Sequence, residues 1–174
     1  YGKQNAIEKY NLDGKRIEVF KFIPNIEINE SREFINIKEK YKLNNEYIFY
    51  PAQFWAHKNH IYILKAVKLL REEKNIDIDV IFSGSNKGNL EYILNKAKEF
   101  EIDDLVYYIG FAPNDEIKYL YQQSLSLVIP TYLGPSNIPP LEALAYETPV
   151  CYSDMPFFRD QVGDAAFFMD LKDP

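Results

Sequence analysis

Glycine, cysteine and histidine are scarce in this chain of 174 residues, and each shortage excludes something. The seven glycines never fall in a G-x-G-x-x-G or a G-x-x-x-x-G-K-[ST] pattern, so both glycine-rich phosphate fingerprints are absent. The single cysteine, Cys151, rules out an internal disulfide and fits a reducing, cytoplasmic compartment. Set among Pro149, Val150 and Tyr152, it reads as an inert core residue of a strand. The two histidines, His57 and His60, stand three apart at a loop–helix junction with no third ligand nearby. They read as a solvated helix start, and no metal site is expected. No apolar run approaches the roughly 18–20 residues of a membrane-crossing helix, and no signal peptide opens the chain. Lys and Arg number 20 against 26 Asp and Glu, giving a net charge of -6 and a pI of about 5.0. Without a basic stripe to neutralise a phosphate backbone, nucleic acid is excluded as the main partner. One bound nucleotide is not excluded, because it needs only a helix N-terminus and one or two cations.

Hydrophobic residues make up 47% of the chain and aromatic residues 16%, which suits one globular domain with a core filled by Tyr and Phe. The chain opens on Tyr1 and not Met, and reads as a piece of a longer polypeptide. Residues 1–14 suggest the tail of a helix closed by an Asn-Leu-Asp-Gly turn. Arg16–Ile23 alternates apolar and polar residues and predicts a strand. Ser31 is a candidate cap for a short helix through Tyr41. This opening fifth lacks the regularity of the remaining chain and reads as a lead-in or linker.

From Glu46 onward the pattern repeats. The β-rich runs are Tyr47–Pro51, Ile78–Phe82, Val106–Ile109, Leu125–Ile129, Pro149–Tyr152 and Ala165–Met169. Helical patterns lie between them at about Asn59–Glu73, Asn89–Phe100, Asp115–Gln123, Pro140–Tyr146 and Pro156–Val162, with Asn114 or Asp115 as the cap of the third. Such alternation implies parallel strands, right-handed crossovers and helices on both faces. The expected fold is α/β, a single Rossmann-like doubly wound parallel sheet of about six strands. In such sheets ligands bind at the carboxyl ends of the strands, so the loops to search are 51–59, 83–89, 110–115 and 130–140.

The stretch Ile129–Val150, IPTYLGPSNIPPLEALAYETPV, is the most informative. A Gly/Pro/Ser/Asn loop leaves a strand and enters a helix at Pro140, where a missing N–H costs nothing. Pro139 pushes Ile138 away from helical backbone. Free amides and the positive end of the helix dipole suit an anion here. Glu142 falls in the first turn, where it either favours the dipole or accepts hydrogen bonds from a ribose diol. Lys58 sits at another helix N-terminus, an unfavourable place for a cation unless a phosphate binds nearby; the plain alternative is a solvated surface lysine. Gln53 and Trp55 either line a cleft or hold the loop. The small residues from Ser83 and Gly84 onward let a ligand approach the backbone, as any tight turn would also require. Phe111, in Gly-Phe-Ala-Pro-Asn, either packs on a base or belongs to a plain turn.

The runs Pro-Ala-Gln-Phe-Trp-Ala-His-Lys-Asn-His, Phe-Ser-Gly-Ser, Tyr-Ile-Gly-Phe and Pro-Pro-Leu-Glu-Ala-Leu-Ala-Tyr-Glu-Thr-Pro-Val, in this order, resemble the C-terminal, donor-binding half of a family 4 (group 1) retaining glycosyltransferase of GT-B fold. The resemblance covers roughly residues 15 to 174 and divides the chain into 1–15, the end of a preceding domain or linker, and 16–174, the donor-binding domain. It implies transfer of a sugar from a UDP-, GDP- or ADP-linked donor to a glycan or lipid-linked acceptor in cell-surface polysaccharide or lipopolysaccharide assembly. It also implies no required metal or cofactor, and a cytoplasmic enzyme with peripheral contact at the inner face of the membrane through the full-length protein.

By position, Lys58 resembles the lysine that contacts the donor diphosphate. Asn137, Ile138 and Pro139 match the loop whose backbone amides meet it. Glu142 resembles the ribose-binding second glutamate of a Glu-x7-Glu motif, and Ser83, Gly84 and Phe111 lie in loops around base and ribose. Two positions depart from the family pattern: Gln53 stands where an arginine is usual, and Gly134 where the first glutamate is expected. A variant loop using Asn137 and backbone amides would accommodate both, as would a degenerate, non-catalytic nucleotide-binding module. A nucleotide-sugar 2-epimerase of related fold is a third reading. Acceptor-binding and acid/base residues are expected in the other half of such an enzyme. The 174-residue chain by itself should therefore bind a nucleotide or nucleotide sugar weakly and transfer nothing. A transfer assay with labelled donor sugars checks this, and measurable product would overturn it.

Overall fold

Short runs of Val, Ile, Tyr and Phe, most of them closed by Pro, Ser or Gly, form six strands that pair in parallel in a computed structural model. The structure describes residues 2–20, 23, 24, 26, 34–134 and 137–174. After helix α1 (Gly2–Tyr10) and the short helix α2 (Ile37–Tyr41), strands and helices alternate. They run β1 (Tyr47–Pro51), α3 (His60–Lys74), β2 (Asp79–Ser83), α4 (Leu90–Glu99), β3 (Val106–Tyr108), α5 (Asn114–Gln122), β4 (Ser126–Ile129), α6 (Pro139–Ala145), β5 (Val150–Ser153), α7 (Pro156–Val162) and β6 (Phe167–Met169). The sheet order is β3-β2-β1-β4-β5-β6. The direction of winding therefore reverses between β1 and β4, the place where a doubly wound sheet opens a crevice. Right-handed crossovers set α3 and α4 on one face and α5, α6 and α7 on the other.

Register is held by burial. β1 pairs with β2 from Tyr47–Asp79 to Pro51–Ser83, and with β4 at Phe49–Leu127. Every residue of β2 is buried. Its one charged member, Asp79, accepts hydrogen bonds from the backbone amides of Asn44 and Asn45 (2.9 and 3.0 Å) and from the Asn45 side chain (2.9 Å). A buried carboxylate with three donors is compensated, and it locks the turn that feeds β1. The core is aromatic: Tyr47, Tyr50, Tyr121, Tyr152, Phe49, Phe54, Phe82 and Phe158 are all fully buried.

Several expectations for the opening fifth need correction. No strand forms over the described part of Arg16–Ile23. A 3-10 turn covers Gly14–Arg16, and Val19, Phe20 and Ile23 are exposed, with no sheet edge beside them to take up their hydrogen bonds. Ser31 lies outside the described residues. The next helix is only Ile37–Tyr41, capped by the Asn36 side chain, which accepts from the Glu39 amide at 3.2 Å. Neither Asn114 nor Asp115 caps α5: Pro113 holds that place, and its fixed φ enters the helix without a side-chain bond. Cys151 is half-buried, because the sheet face it shares with Val128 is less covered than the one beneath α6.

His60 is the other correction. The imidazole is fully buried, stacked on Phe54 at 4.2 Å and packed against Tyr50 and Phe82 at 4.8 and 5.1 Å. Among the described residues neither ring nitrogen finds a hydrogen-bond partner of good geometry. Burial pushes the imidazole pKa down to about 3, with the nearby Lys58 charge acting in the same sense against partial support from the Ala52 backbone. The unfolded chain takes up this proton near the usual 6.5, and the folded chain only near 3. The site therefore imposes no penalty above about pH 6.5, and stability is lost as pH falls through the interval below it. Between pH 7 and pH 5, His60→Phe should lose about 1–2 kcal/mol less unfolding free energy than the parent. Denaturant titrations at the two pH values check this; equal losses would refute it.

Candidate functional site

The loops after β1, β2 and β3 are tied together by backbone. The Phe54 amide donates to the Ser85 carbonyl at 3.1 Å, and the Gly84 amide to the Gly110 carbonyl at 2.7 Å. Ser83 Oγ donates to the Gly110 carbonyl and accepts from the Ala112 amide, both at 3.0 Å, and the Tyr108 hydroxyl donates to the Gly84 carbonyl at 2.9 Å. Gly84 has a φ of +147°, and a Cβ there would run into the Ala52 carbonyl oxygen. Only glycine lets the two loops approach so closely.

The wall built this way bounds a cleft of about 460 Å³ at the carboxyl ends of the strands. Gln53, Ser83, Gly84 and Phe111 line one part of it, and Ile138, Pro139 and Glu142 another. The structure thus brings together seven of the nine residues singled out from the sequence. Phe111 lines the cleft and is 82% exposed. Lys58 and Asn137 are not among the lining residues; they meet each other beside the cleft, Lys58 Nζ donating to Asn137 Oδ1 at 3.2 Å.

Lys58 ends a 3-10 turn, Ala56–Lys58, and Asn59 then takes a left-handed conformation before α3 begins. This turn is anchored on the segment just past β4: the Asn59 side chain donates to the Pro130 carbonyl at 3.0 Å, and the His57 carbonyl accepts from the Tyr132 amide at 3.0 Å. Burial lowers the Lys58 pKa, and no described carboxylate pairs with it. Gln53 is engaged by Trp55, whose indole N–H donates to Gln53 Oε1 at 3.0 Å. Trp55 therefore holds the loop through Gln53.

The turn into α6 has fewer free amides than its position suggests. Pro139 and Pro140 have no N–H, the Asn137 amide donates to the Gly134 carbonyl at 3.2 Å, and the Leu141 and Glu142 amides donate to the Ile138 carbonyl. Of residues 137–142, Ile138 is the one whose amide has no partner among the described residues. Ile138 itself is helical in φ and ψ despite preceding a proline, because its carbonyl receives those two amides; α6 consequently starts at Pro139. Glu142 lies in the first turn, half-buried, and its Oε2 accepts from the Tyr121 hydroxyl at 2.8 Å. Burial, reinforced by the Glu142 charge, holds the Tyr121 phenol far above its ordinary pKa, so it remains a donor.

At Gly134 (φ +129°) a Cβ would stand 2.5 Å from Asn137 Oδ1. The Asn137 side chain thus occupies the space that a residue-134 side chain would enter. Its Nδ2 donates to the Tyr152 hydroxyl at 3.0 Å, that hydroxyl donates to Gln161 Oε1 at 3.1 Å, and the Gln161 amide returns to the Asn137 carbonyl. Sequence reasoning missed Tyr121, Tyr152 and Gln161. The two tyrosines lie within a helical pattern and a strand run with no motif to mark them, and nothing in α7 marked Gln161.

The sequence and fold that carry this cleft are similar to those of known proteins. The family model described as "Glycosyl transferases group 1" matches residues 31–174. The chain belongs to the group 1 glycosyl transferases. It is 29% identical to an O-antigen chain mannosyltransferase, RfbU, of Salmonella typhimurium over 98% of its own length and 45% of that protein. The chain thus spans under half the length of that relative. Its fold matches WaaG, a glycosyltransferase involved in lipopolysaccharide biosynthesis, with a TM-score of 0.76 and 16% identity over 92% of this chain and 44% of the other. It also matches Anabaena Alr3699/HepE in complex with UDP, with a TM-score of 0.67 and 13% identity over 76% of this chain and 37% of the other. The Rossmann-like architecture is therefore that of GT-B neighbours.

Within this group 1 glycosyl transferase domain, Gly84 is the position least able to accept a side chain. Gly84→Ala should destabilise the fold by about 1–3 kcal/mol through backbone strain and displacement of the Ala52 carbonyl. A urea titration checks this; an unchanged midpoint would show that the two loops can separate freely.

Proposed function

We propose that residues 16–174 form the donor-binding domain of a hexosyltransferase that moves a sugar from a UDP-, GDP- or ADP-linked donor to a glycan or lipid-linked acceptor, with residues 1–15 linking it to a preceding domain. The observation that carries this is the position of Glu142. It lies on the wall of the cleft at the β1/β4 switch, half-buried, with one carboxylate oxygen held by Tyr121 and the other without a described partner. A carboxylate so placed suits a vicinal diol, and a ribose supplies one.

The Lys58 ammonium, adjoining the cleft with only neutral Asn137 as its described side-chain partner, has its charge available for a diphosphate. The Ile138 amide is the backbone donor for the same group, and Asn137 stands in for the side chain that Gly134 lacks. Ser83, Gly84 and Phe111 border the region for ribose and base. The UDP in the Anabaena structure and the O-antigen role of the Salmonella relative support a nucleotide-sugar donor and a place in cell-surface polysaccharide assembly. Retention of configuration, independence of metal, a cytoplasmic location and peripheral contact with the membrane belong to the same reading. A second reading, a nucleotide-binding module without transfer, is favoured by the neutral Gln53 and Gly134.

Titration of the intact protein with UDP, GDP and ADP tests the first reading. Glu142→Ala should weaken the best-bound nucleotide by about 1–3 kcal/mol. Lys58→Ala should weaken the diphosphate more than the corresponding nucleoside. Unchanged affinity in Glu142→Ala, or equal loss of nucleotide and nucleoside in Lys58→Ala, would remove the respective contact. Binding without any transfer by the intact protein would favour the module.

A further inference from the structure

We propose that Tyr121 is a positioning residue for nucleotide recognition: its hydroxyl fixes the Glu142 carboxylate in the orientation that accepts the ribose diol. The proposal rests on the reading of Glu142 as the ribose contact and adds the residue that aims it. Tyr121 lies in α5, with its backbone away from the α6 turn, yet its phenol reaches Glu142 Oε2 at 2.8 Å. The ring is fully buried and gripped on two sides. Phe49 of β1 meets it edge-on at 5.2 Å and 77°, and Tyr146, just beyond α6, stacks on it at 5.8 Å and 26°. A buried, doubly packed aromatic ring has few other rotamers, so the hydroxyl is a fixed point.

Glu142, by contrast, is a flexible side chain on a seven-residue helix at the edge of the cleft. One bond from a fixed donor removes most of its freedom, and the loss is taken during folding, not during binding. The bond occupies one lone-pair site on Oε2. It leaves Oε1 without a protein donor among the described residues, and a second site on Oε2 remains. Two adjacent acceptor oxygens are what a pair of vicinal hydroxyls needs. Tyr121 and Tyr146 both line the cleft, so the device stands at the binding surface. The ligand class selected is a nucleotide with a free 2′,3′-diol.

The test uses Tyr121→Phe and Glu142→Gln in the intact protein, titrated with whichever of UDP, GDP or ADP binds best and with its 2′,3′-dideoxy counterpart. Loss of one hydrogen bond predicts about 3- to 10-fold weaker binding of the ribonucleotide to Tyr121→Phe. The dideoxy nucleotide should bind parent and variant alike, a difference that a general packing defect would not produce. Glu142→Gln keeps the side-chain shape and should show the same discrimination. If Glu142→Gln discriminates and Tyr121→Phe binds like the parent, the positioning role is overturned while the ribose contact stands. Equal weakening of both ligands by Tyr121→Phe also overturns it. If Glu142→Gln binds both ligands like the parent, the ribose contact falls and the positioning role with it.

Discussion

The close approach of two loop backbones at Gly84 is the constraint on which the cleft depends. A side chain there would collide with the Ala52 carbonyl, so the residue after β2 is glycine, and the loops after β1 and β2 touch. Phe54 then reaches Ser85, Gly84 reaches Gly110, and Ser83 bridges Gly110 and Ala112. Three strand-to-helix loops become one wall through main-chain hydrogen bonds, which hold position better than side-chain contacts would. The buried ring of Phe54 roots this wall in the core through His60, Phe82 and Tyr108. A penalty in acid comes with that choice, because burial in the stack lowers the affinity of the imidazole for a proton.

Opposite the wall, the side chains obey a different logic. Glu142 is held by one buried phenol, whereas Lys58 meets a neutral amide. No described carboxylate neutralises the lysine, so the attraction of this corner for an anion is not spent within the protein. Asn137 connects Lys58 to Tyr152 and Gln161 and fills the space next to Gly134. Gly134 and Asn137 are thus one arrangement: a side chain at 134 and the present rotamer at 137 exclude each other.

Most of the repeating part was legible in advance. β1 and α7 fall on the residues expected, and the other strands and helices of the repeat keep their order, with ends that move by no more than two residues. Apolar strand residues and the Gly, Asn and Pro between them carry that information locally. In the opening fifth the helix closing at Tyr10 and the one ending at Tyr41 were legible, but the strand expected over Arg16–Ile23 was not, because alternation specifies a strand only where another strand is available, and none is beside the described residues. Seven of the nine candidate residues line the cleft because loop position is set by strand order. Among the described residues the expected row of amides at α6 shrank to Ile138, since prolines and local turns had already taken the others.

The amino-acid sequence by itself determined the parallel α/β alternation, the loops that gather at one end of the sheet, and the family. These depend on patterns a few residues long and on motif order. Tertiary structure alone decided which polar groups meet. Tyr121 and Glu142 stand 21 residues apart with β4 between them, Lys58 and Asn137 stand 79 apart with β2, β3 and β4 between them, and each pair forms only when those strands have taken their places in the sheet. It also decided that His60 is buried and that Gly134 faces Asn137. Such partnerships depend on the three-dimensional positions of distant residues, which no local pattern encodes.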